Sequence, residues 1–120
     1  MKTRLLLLAA IVLLGQQGAV YAHAMLERAA PAVGSTMYGS PEEVKLRFDQ
    51  ELEPAFSKLS VVDQDGRQVD NKDPSVEPND RSVLRVSVPK LRPGRYSVRW
   101  RVLSLDSHVT SGDYVFVVAP

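Results

Sequence analysis

The longest regular pattern in the sequence is Arg95-Tyr96-Ser97-Val98-Arg99-Trp100-Arg101-Val102-Leu103. Large apolar and polar side chains alternate along it, so that Trp100 lies on an apolar face and the arginines lie on the opposite face. Alternation with a period of two residues is typical of a strand that buries one side. The stretch therefore predicts a long strand with an outward arginine face, which we expect acidic neighbours to balance.

Shorter segments with the same alternation lie on both sides of this strand. We predict these strands at residues 24–28, 44–48, 57–63, 82–88 and 113–118. Turn-forming pairs such as Asp65-Gly66 and Pro93-Gly94 separate them. About seven short strands of this kind predict an all-β fold, an immunoglobulin-like Greek-key β-sandwich, with much of its core on the Trp100 and Tyr114 faces.

One part of the chain between these strands looks irregular. Val69 is expected on a short return arm after the Asp65-Gly66 turn. Residues 70–80 are polar and contain Pro74 and Pro78, so we expect a long loop there.

The start of the chain has the features of a secretory signal. Lys2 and Arg4 precede an apolar run, residues 5–14, that is too short to span a bilayer. We therefore expect residues 1–22 to be a cleaved signal peptide and residues 23–120 to form one exported domain.

The position of the cleavage decides which residue begins the exported domain. Cleavage after Ala22 makes His23 the first residue, whereas cleavage after Ala24 fits the same small-residue rule and removes His23. We expect the first of these cuts.

Charge and composition exclude several classes of function. Removal of Lys2 and Arg4 lowers the 15 basic residues to 13, against 14 acidic ones, so nothing favours nucleic acid or an anionic membrane surface as a partner. The chain has no cysteine, which excludes disulfides, thiolate nucleophiles and thiolate metal sites.

The two histidines of the chain, His23 and His108, point to a metal site. An N-terminal histidine offers its α-amine and its imidazole Nδ1 as a chelate, and the amine loses its proton readily near neutral pH. His108 adds an imidazole, and Asp106, two residues before it, adds a carboxylate oxygen. Three nitrogens and one oxygen suit tetragonal Cu(II), while Zn(II) would bind such a set more weakly in a tetrahedral arrangement.

Each of these residues also has a more ordinary explanation when it is considered alone. His108 fits a hydrogen-bonded loop histidine, Asp106 fits a turn-forming aspartate, and His23 fits a residue of the cleavage region with no further role. Their combination favours one metal site made by His23, Asp106 and His108.

Several short motifs together resemble the CopC-type copper-resistance proteins over essentially the whole exported domain. In the first half the motifs are His23-Ala24-x-Leu26, Ala30-Pro31-Ala32-x-Gly34 and Leu46-x-Phe48. In the second half they are Leu91-x-Pro93-Gly94-x-Tyr96-x-Val98-x-Trp100-x-Val102-x-Ser104-x-Asp106-x-His108 and Gly112-x-x-x-Phe116.

This resemblance implies a periplasmic β-sandwich that holds one Cu(II) ion through His23, Asp106 and His108. It also implies a partner, an inner-membrane copper transporter of the CopD type. Some members carry a second, methionine-rich Cu(I) site on a long loop. The corresponding residues, 63–80, contain neither methionine nor histidine, so we expect a single Cu(II) site. Val109 stands where many members have proline.

The function expected from the sequence is that of a monomeric copper carrier that sequesters Cu(II) or passes it on, without catalysis. One rival is a histidine-brace copper monooxygenase, disfavoured because the domain is small and Asp106 would fill a position that oxygen activation needs open. The other rival is a metal-free immunoglobulin-like interaction domain, whose thermal stability copper would not change.

Overall fold

The computed structural model describes residues 24–120, which form two four-stranded sheets. The predicted signal peptide and His23 lie outside the described residues, so the division of the chain at residue 23 stays a prediction. Across residues 24–120, no helix has the length and the apolar character needed to cross a membrane.

Eight strands build the two sheets. In chain order they are β1 (Leu26–Ala30), β2 (Thr36–Met37), β3 (Glu43–Phe48), β4 (Lys58–Val62), β5 (Ser75–Glu77), β6 (Asp80–Ser87), β7 (Gly94–Leu103) and β8 (Val109–Val118). The first sheet has the order β1-β3-β6-β5 and the second has the order β2-β8-β7-β4. Every pairing is antiparallel except that of β2 with β8. The predicted all-β sandwich is confirmed.

The alternation of β7 decides which side chains enter the core. Tyr96, Val98 and Val102 are buried on its inner face, and Trp100 packs partly buried against the same cluster. The ring of Tyr96 stacks on that of Phe116 in β8, with 5.5 Å between the ring centroids. The core predicted from the Trp100 and Tyr114 faces is therefore found.

Trp100 needs a glycine opposite it. Gly112 is its partner in the ladder between β7 and β8, and a Cβ atom added there would lie 2.4 Å from Cζ2 of the indole. Because Gly112 has no side chain, the indole lies against the β8 backbone. It also meets Phe48 of the other sheet edge-on, with 6.2 Å between the ring centroids, so Trp100 joins the two sheets.

Three strand predictions differ from the structure. Strand β8 begins at Val109 instead of residue 113, because its pairing continues along the whole of β7 even where Gly112 interrupts the apolar pattern. Strand β5 lies inside the loop predicted at residues 70–80 and pairs with β6. Strand β2 has two residues, too few for an alternation to be read.

The return arm predicted at Val69 is also shorter than expected. It is reduced to a single bridge between Val62 and Gln68 and two backbone hydrogen bonds, from the Val69 N–H to the Val61 carbonyl at 2.8 Å and from the Asp63 N–H to the Arg67 carbonyl at 2.9 Å. The side chain of the buried Asp70 replaces further pairing, because its Oδ2 accepts the Val61 N–H at 2.8 Å.

The contact between Trp100 and Gly112 gives a direct test of the fold. We expect Gly112→Ala to lower the free energy of unfolding by about 1–3 kcal/mol, since the new methyl group must displace the indole. Urea unfolding followed by circular dichroism measures the change. Ser111→Ala, on the exposed face one residue away, is the matched control and should change stability by less than about 0.5 kcal/mol. Equal stability of the two variants would contradict this packing.

Candidate metal centre

A five-residue loop, residues 104–108, joins β7 to β8 and carries the predicted ligands Asp106 and His108. The last ladder pair is Leu103 with Val109, after which the Ser104 N–H donates to the His108 carbonyl at 3.0 Å. The loop closes with a second bond, from the Ser107 N–H to the Ser104 carbonyl at 2.9 Å. Ser107 has a φ of 70°, the left-handed conformation that such hairpin loops need at one position. The loop conformation is therefore set by the strand pairing.

Asp106 and His108 face each other across this loop. Oδ2 of Asp106 lies 3.1 Å from Nδ1 of His108, and the two side chains are 38% and 40% exposed. The other carboxylate oxygen, Oδ1, accepts a hydrogen bond from the Ser104 hydroxyl. A carboxylate at one ring nitrogen fixes the orientation of an imidazole. The structure thus brings together two of the three predicted ligands.

Ser104 affects the acidity of Asp106. Its hydroxyl, together with the weaker contribution of His108, holds the pKa of the Asp106 carboxyl below its ordinary value. Asp106 is therefore ionised at neutral pH, the state in which a carboxylate binds a metal ion. Sequence reasoning did not identify Ser104, although its position two residues before Asp106 and at the end of a strand was a usable signal.

The segment between β3 and β4 supports the loop from one side. The side chain of Leu52 is completely buried. On either side of it, the Glu51 carbonyl accepts the Leu105 N–H at 3.1 Å and the Glu53 N–H donates to the Leu103 carbonyl at 2.8 Å. These bonds hold both ends of the Leu103-to-Leu105 stretch, so the loop is attached to the core.

The first described residues lie beside the same loop. The carbonyl of Ala24, which is 2% exposed, accepts a hydrogen bond from the Thr110 hydroxyl at 2.8 Å. The Met25 N–H donates to Oδ1 of Asp49 at 2.7 Å, and the Asp49 N–H donates back to the Met25 carbonyl at 3.0 Å. Ala24, the first described residue, is therefore bonded to Thr110, two residues after His108. The sequence did not reveal this contact.

His23, the third predicted ligand, lies outside the described residues, and its role stays a prediction. Among residues 24–120, no three side chains of His, Cys, Asp or Glu are grouped so as to hold a metal ion. A complete site would thus need donors in addition to Asp106 and His108.

The model of the CopC domain matches residues 26–119. The chain belongs to the CopC family. The match spans all eight strands and the loop that carries Asp106 and His108.

Individual CopC-family relatives cover most of the chain. Protein YobA of Escherichia coli K12 is 31% identical over 102 residues, which are 82% of this chain and 81% of that protein. Copper resistance protein C of Escherichia coli is 30% identical over 114 residues, covering 89% of this chain and 90% of the relative. The crystal structure of CopC from Methylosinus trichosporium OB3b superposes with a TM-score of 0.77 at 37% identity, covering 82% of this chain and 95% of the other.

The hydrogen bond from Ser104 to Asp106 predicts a pH-dependent stability. A carboxyl whose pKa is lowered on folding stabilises the fold above its unfolded value, 3.8, and loses this contribution as the pH falls below it. We expect Ser104→Ala to destabilise the protein near pH 7, and the difference from the original chain to shrink below about pH 4. Urea unfolding at a series of pH values measures the difference.

The matched control for this experiment is the same substitution in an Asp106→Asn background. An amide does not titrate, so Ser104→Ala should there have an effect that does not vary across the acid range. A pH-dependent effect of equal size in both backgrounds would show that the titrating group is not Asp106.

Proposed function

We propose that this CopC-family chain binds one Cu(II) ion through His23, Asp106 and His108 after export to the periplasm. Residues 1–22 are removed as a signal peptide, and residues 23–120 form the copper-binding domain. The protein works as a monomeric carrier that sequesters copper or passes it to an inner-membrane transporter of the CopD type. Ligand exchange, and no catalytic turnover, is the mechanism.

The observation that carries this proposal is the hydrogen bond between Thr110 and Ala24. It fastens the residue after His23 to β8, two positions beyond His108. Ala24 is therefore bonded to the strand that follows the loop of Asp106 and His108. This contact supports the proposal that the free α-amine and the imidazole of the residue before Ala24 complete the ligand set.

The available donor atoms favour Cu(II) among the common divalent metals. Imidazole nitrogens, an amine and a carboxylate suit tetragonal Cu(II), which also has the highest place in the affinity order. The chain has no cysteine to offer as a soft ligand, and residues 63–80 have no methionine or histidine for a Cu(I) site. Zn(II) is expected to bind the same donors more weakly.

The exposure of Asp106 and His108 supports a role in carrying copper instead of storing it permanently. Asp106 and His108 are 38% and 40% exposed at the tip of a hairpin, so ligands of a receiving protein can approach the metal. The similarity to copper resistance protein C, over 89% of the chain, agrees with a role in copper handling. The carboxylate of Asp106 would occupy a coordination position that an oxygen-activating copper enzyme needs open.

Cu(II) titration of variants tests the two described ligands. We expect His108→Ala to weaken Cu(II) binding by about 100-fold or more, because a nitrogen donor is lost, and Asp106→Asn to weaken it by at least about tenfold. Competition with a chromophoric chelator measures both affinities. Thr36 lies in β2 and pairs with Val117, at the end of β8 that is far from His108. Thr36→Ala is therefore the control and should bind Cu(II) like the original chain. Unchanged affinity in His108→Ala would exclude this site.

The free amine of His23 has its own test. A protein that begins at His23 should bind Cu(II) much more tightly than one with a single extra residue before His23, because an extra residue turns one chelate nitrogen into an amide. The imidazole is the same in both proteins, so the comparison isolates the amine. Equal affinities would contradict the N-terminal part of the proposal while leaving Asp106 and His108 untouched.

A further inference from the structure

A groove of about 500 Å³ lies on the outer side of the β7–β4 pair, away from the candidate metal centre. We call it the basic groove, and the residues that characterise its lining are Lys58, Lys72, Arg99, Arg101, Gln68 and Pro74. Leu59, Ser60 and Trp100 complete the nine lining residues, of which four carry a positive charge and none is an aspartate or glutamate.

The strand register forces like charges together in the basic groove. Lys58 of β4 stands directly opposite Arg101 of β7, and Arg99 follows two residues along the same face. Like charges directly opposite each other destabilise a sheet. Asp113 is the ladder partner of Arg99 on β8, but the two side chains form no ion pair within 4.0 Å. Asp113 is thus the acidic neighbour of Arg99, whereas Arg101 has Lys58 and Ser111 as its ladder partners and faces no acidic residue across either ladder.

On the first sheet, β1-β3-β6-β5, the basic side chains form ion pairs. Lys45 lies 2.9 Å from Glu77, and Arg47 lies 2.8 Å from Asp80. Within residues 24–120, the ion pairs made by lysine and arginine all belong to this first sheet. The same chain therefore neutralises one sheet face internally and leaves a cluster of positive charge on the other.

The groove also contains one strand-edge residue, Leu59, whose outward backbone groups have no ladder partner in the described part of the chain. The N–H of Val61 donates to Asp70 and its carbonyl accepts from Val69, so both groups point away from β7. Backbone groups alternate in direction along an antiparallel strand, so those of Leu59 point the same way, towards the groove that Leu59 lines. Within residues 24–120, the hydrogen bonds outside the strand ladders do not reach the Leu59 backbone.

We propose that the basic groove binds an extended acidic segment of a protein partner. Arg99 and Arg101 are two residues apart on one strand face, which is about 6.6–6.8 Å. Carboxylates at alternate positions of an extended peptide have the same spacing, so one peptide face matches both guanidinium groups. The peptide backbone then approaches the β4 edge at Leu59, of which 3% is exposed, in the mode of recognition known as strand addition.

This occupant accounts for both features of the groove. A lone inorganic anion or a lipid headgroup would neutralise charge but would leave the edge of Leu59 without a partner. An uncharged peptide would pair with the edge but would leave Lys58 and Arg101 repelling each other. An acidic peptide, in contrast to these three, satisfies the cations and the strand edge together.

The groove and the candidate metal centre are connected through β7. Arg101 of β7 is three residues before Ser104, where the metal-bearing loop begins. The inference does not rest on copper binding, because none of the groove residues is a proposed ligand.

The test uses the copper-free chain and a fluorescent peptide of alternating glutamate and valine, with a glutamine–valine peptide as its neutral counterpart. Anisotropy should show that the glutamate peptide binds at low salt and weakens as salt is added, while the glutamine peptide binds at least about tenfold more weakly. The double variant Arg99→Gln with Arg101→Gln should lose about tenfold in affinity for the glutamate peptide.

The matched control is Lys45→Gln with Arg85→Gln on the first sheet, which removes the same number of charges and should bind the glutamate peptide like the original chain. Thermal unfolding of all proteins checks that the variants are folded. Equal losses in both double variants would mean that net charge, and not the groove, holds the peptide. Equal binding of the two peptides would overturn the proposal, as would tighter binding to phosphatidylglycerol vesicles than to the glutamate peptide.

Discussion

The pairing of β7 with β8 is the interaction on which the core and the candidate metal centre both depend. The two strands run side by side for ten residues each, from Gly94 opposite Val118 to Leu103 opposite Val109. Since side chains alternate between faces, a slip of one residue would move the whole inner face to solvent. The packing of Trp100 over Gly112 fixes this register. Gly112 is the one glycine in β8, and any other residue at that position would place a side chain where the indole lies.

The same register positions Asp106 and His108 in the loop where β7 and β8 end. Once Leu103 faces Val109, the chain has five residues in which to reverse, and the hydrogen bond from the Ser104 N–H to the His108 carbonyl closes the turn. Asp106 is then held between the Ser104 hydroxyl and the His108 imidazole. The exposed face of β7 is fixed at the same time, which places Arg101 opposite Lys58 and creates the basic groove. One ladder thus sets the positions of both the candidate metal centre and the basic groove.

Much of this could be predicted from sequence, and the exceptions have physical causes. Period-two alternation is strong in β7, so the sandwich and its Trp100 face were predicted correctly. It fails for β2, which has two residues, and for β5, which follows Pro74 directly. The Asp106–His108 pair was predictable because both residues lie between two strands. The Thr110–Ala24 bond was not, since it joins residues 86 positions apart through a backbone carbonyl.

The central claim is that an exported chain beginning with His23 holds one copper ion together with Asp106 and His108. The intact mass of the protein purified from the periplasm, recorded with and without added Cu(II), tests it most directly. The account predicts a mass that starts at His23 and a single-copper adduct. A mass that starts at Met25, or a protein that starts at His23 and takes up no copper, would contradict it.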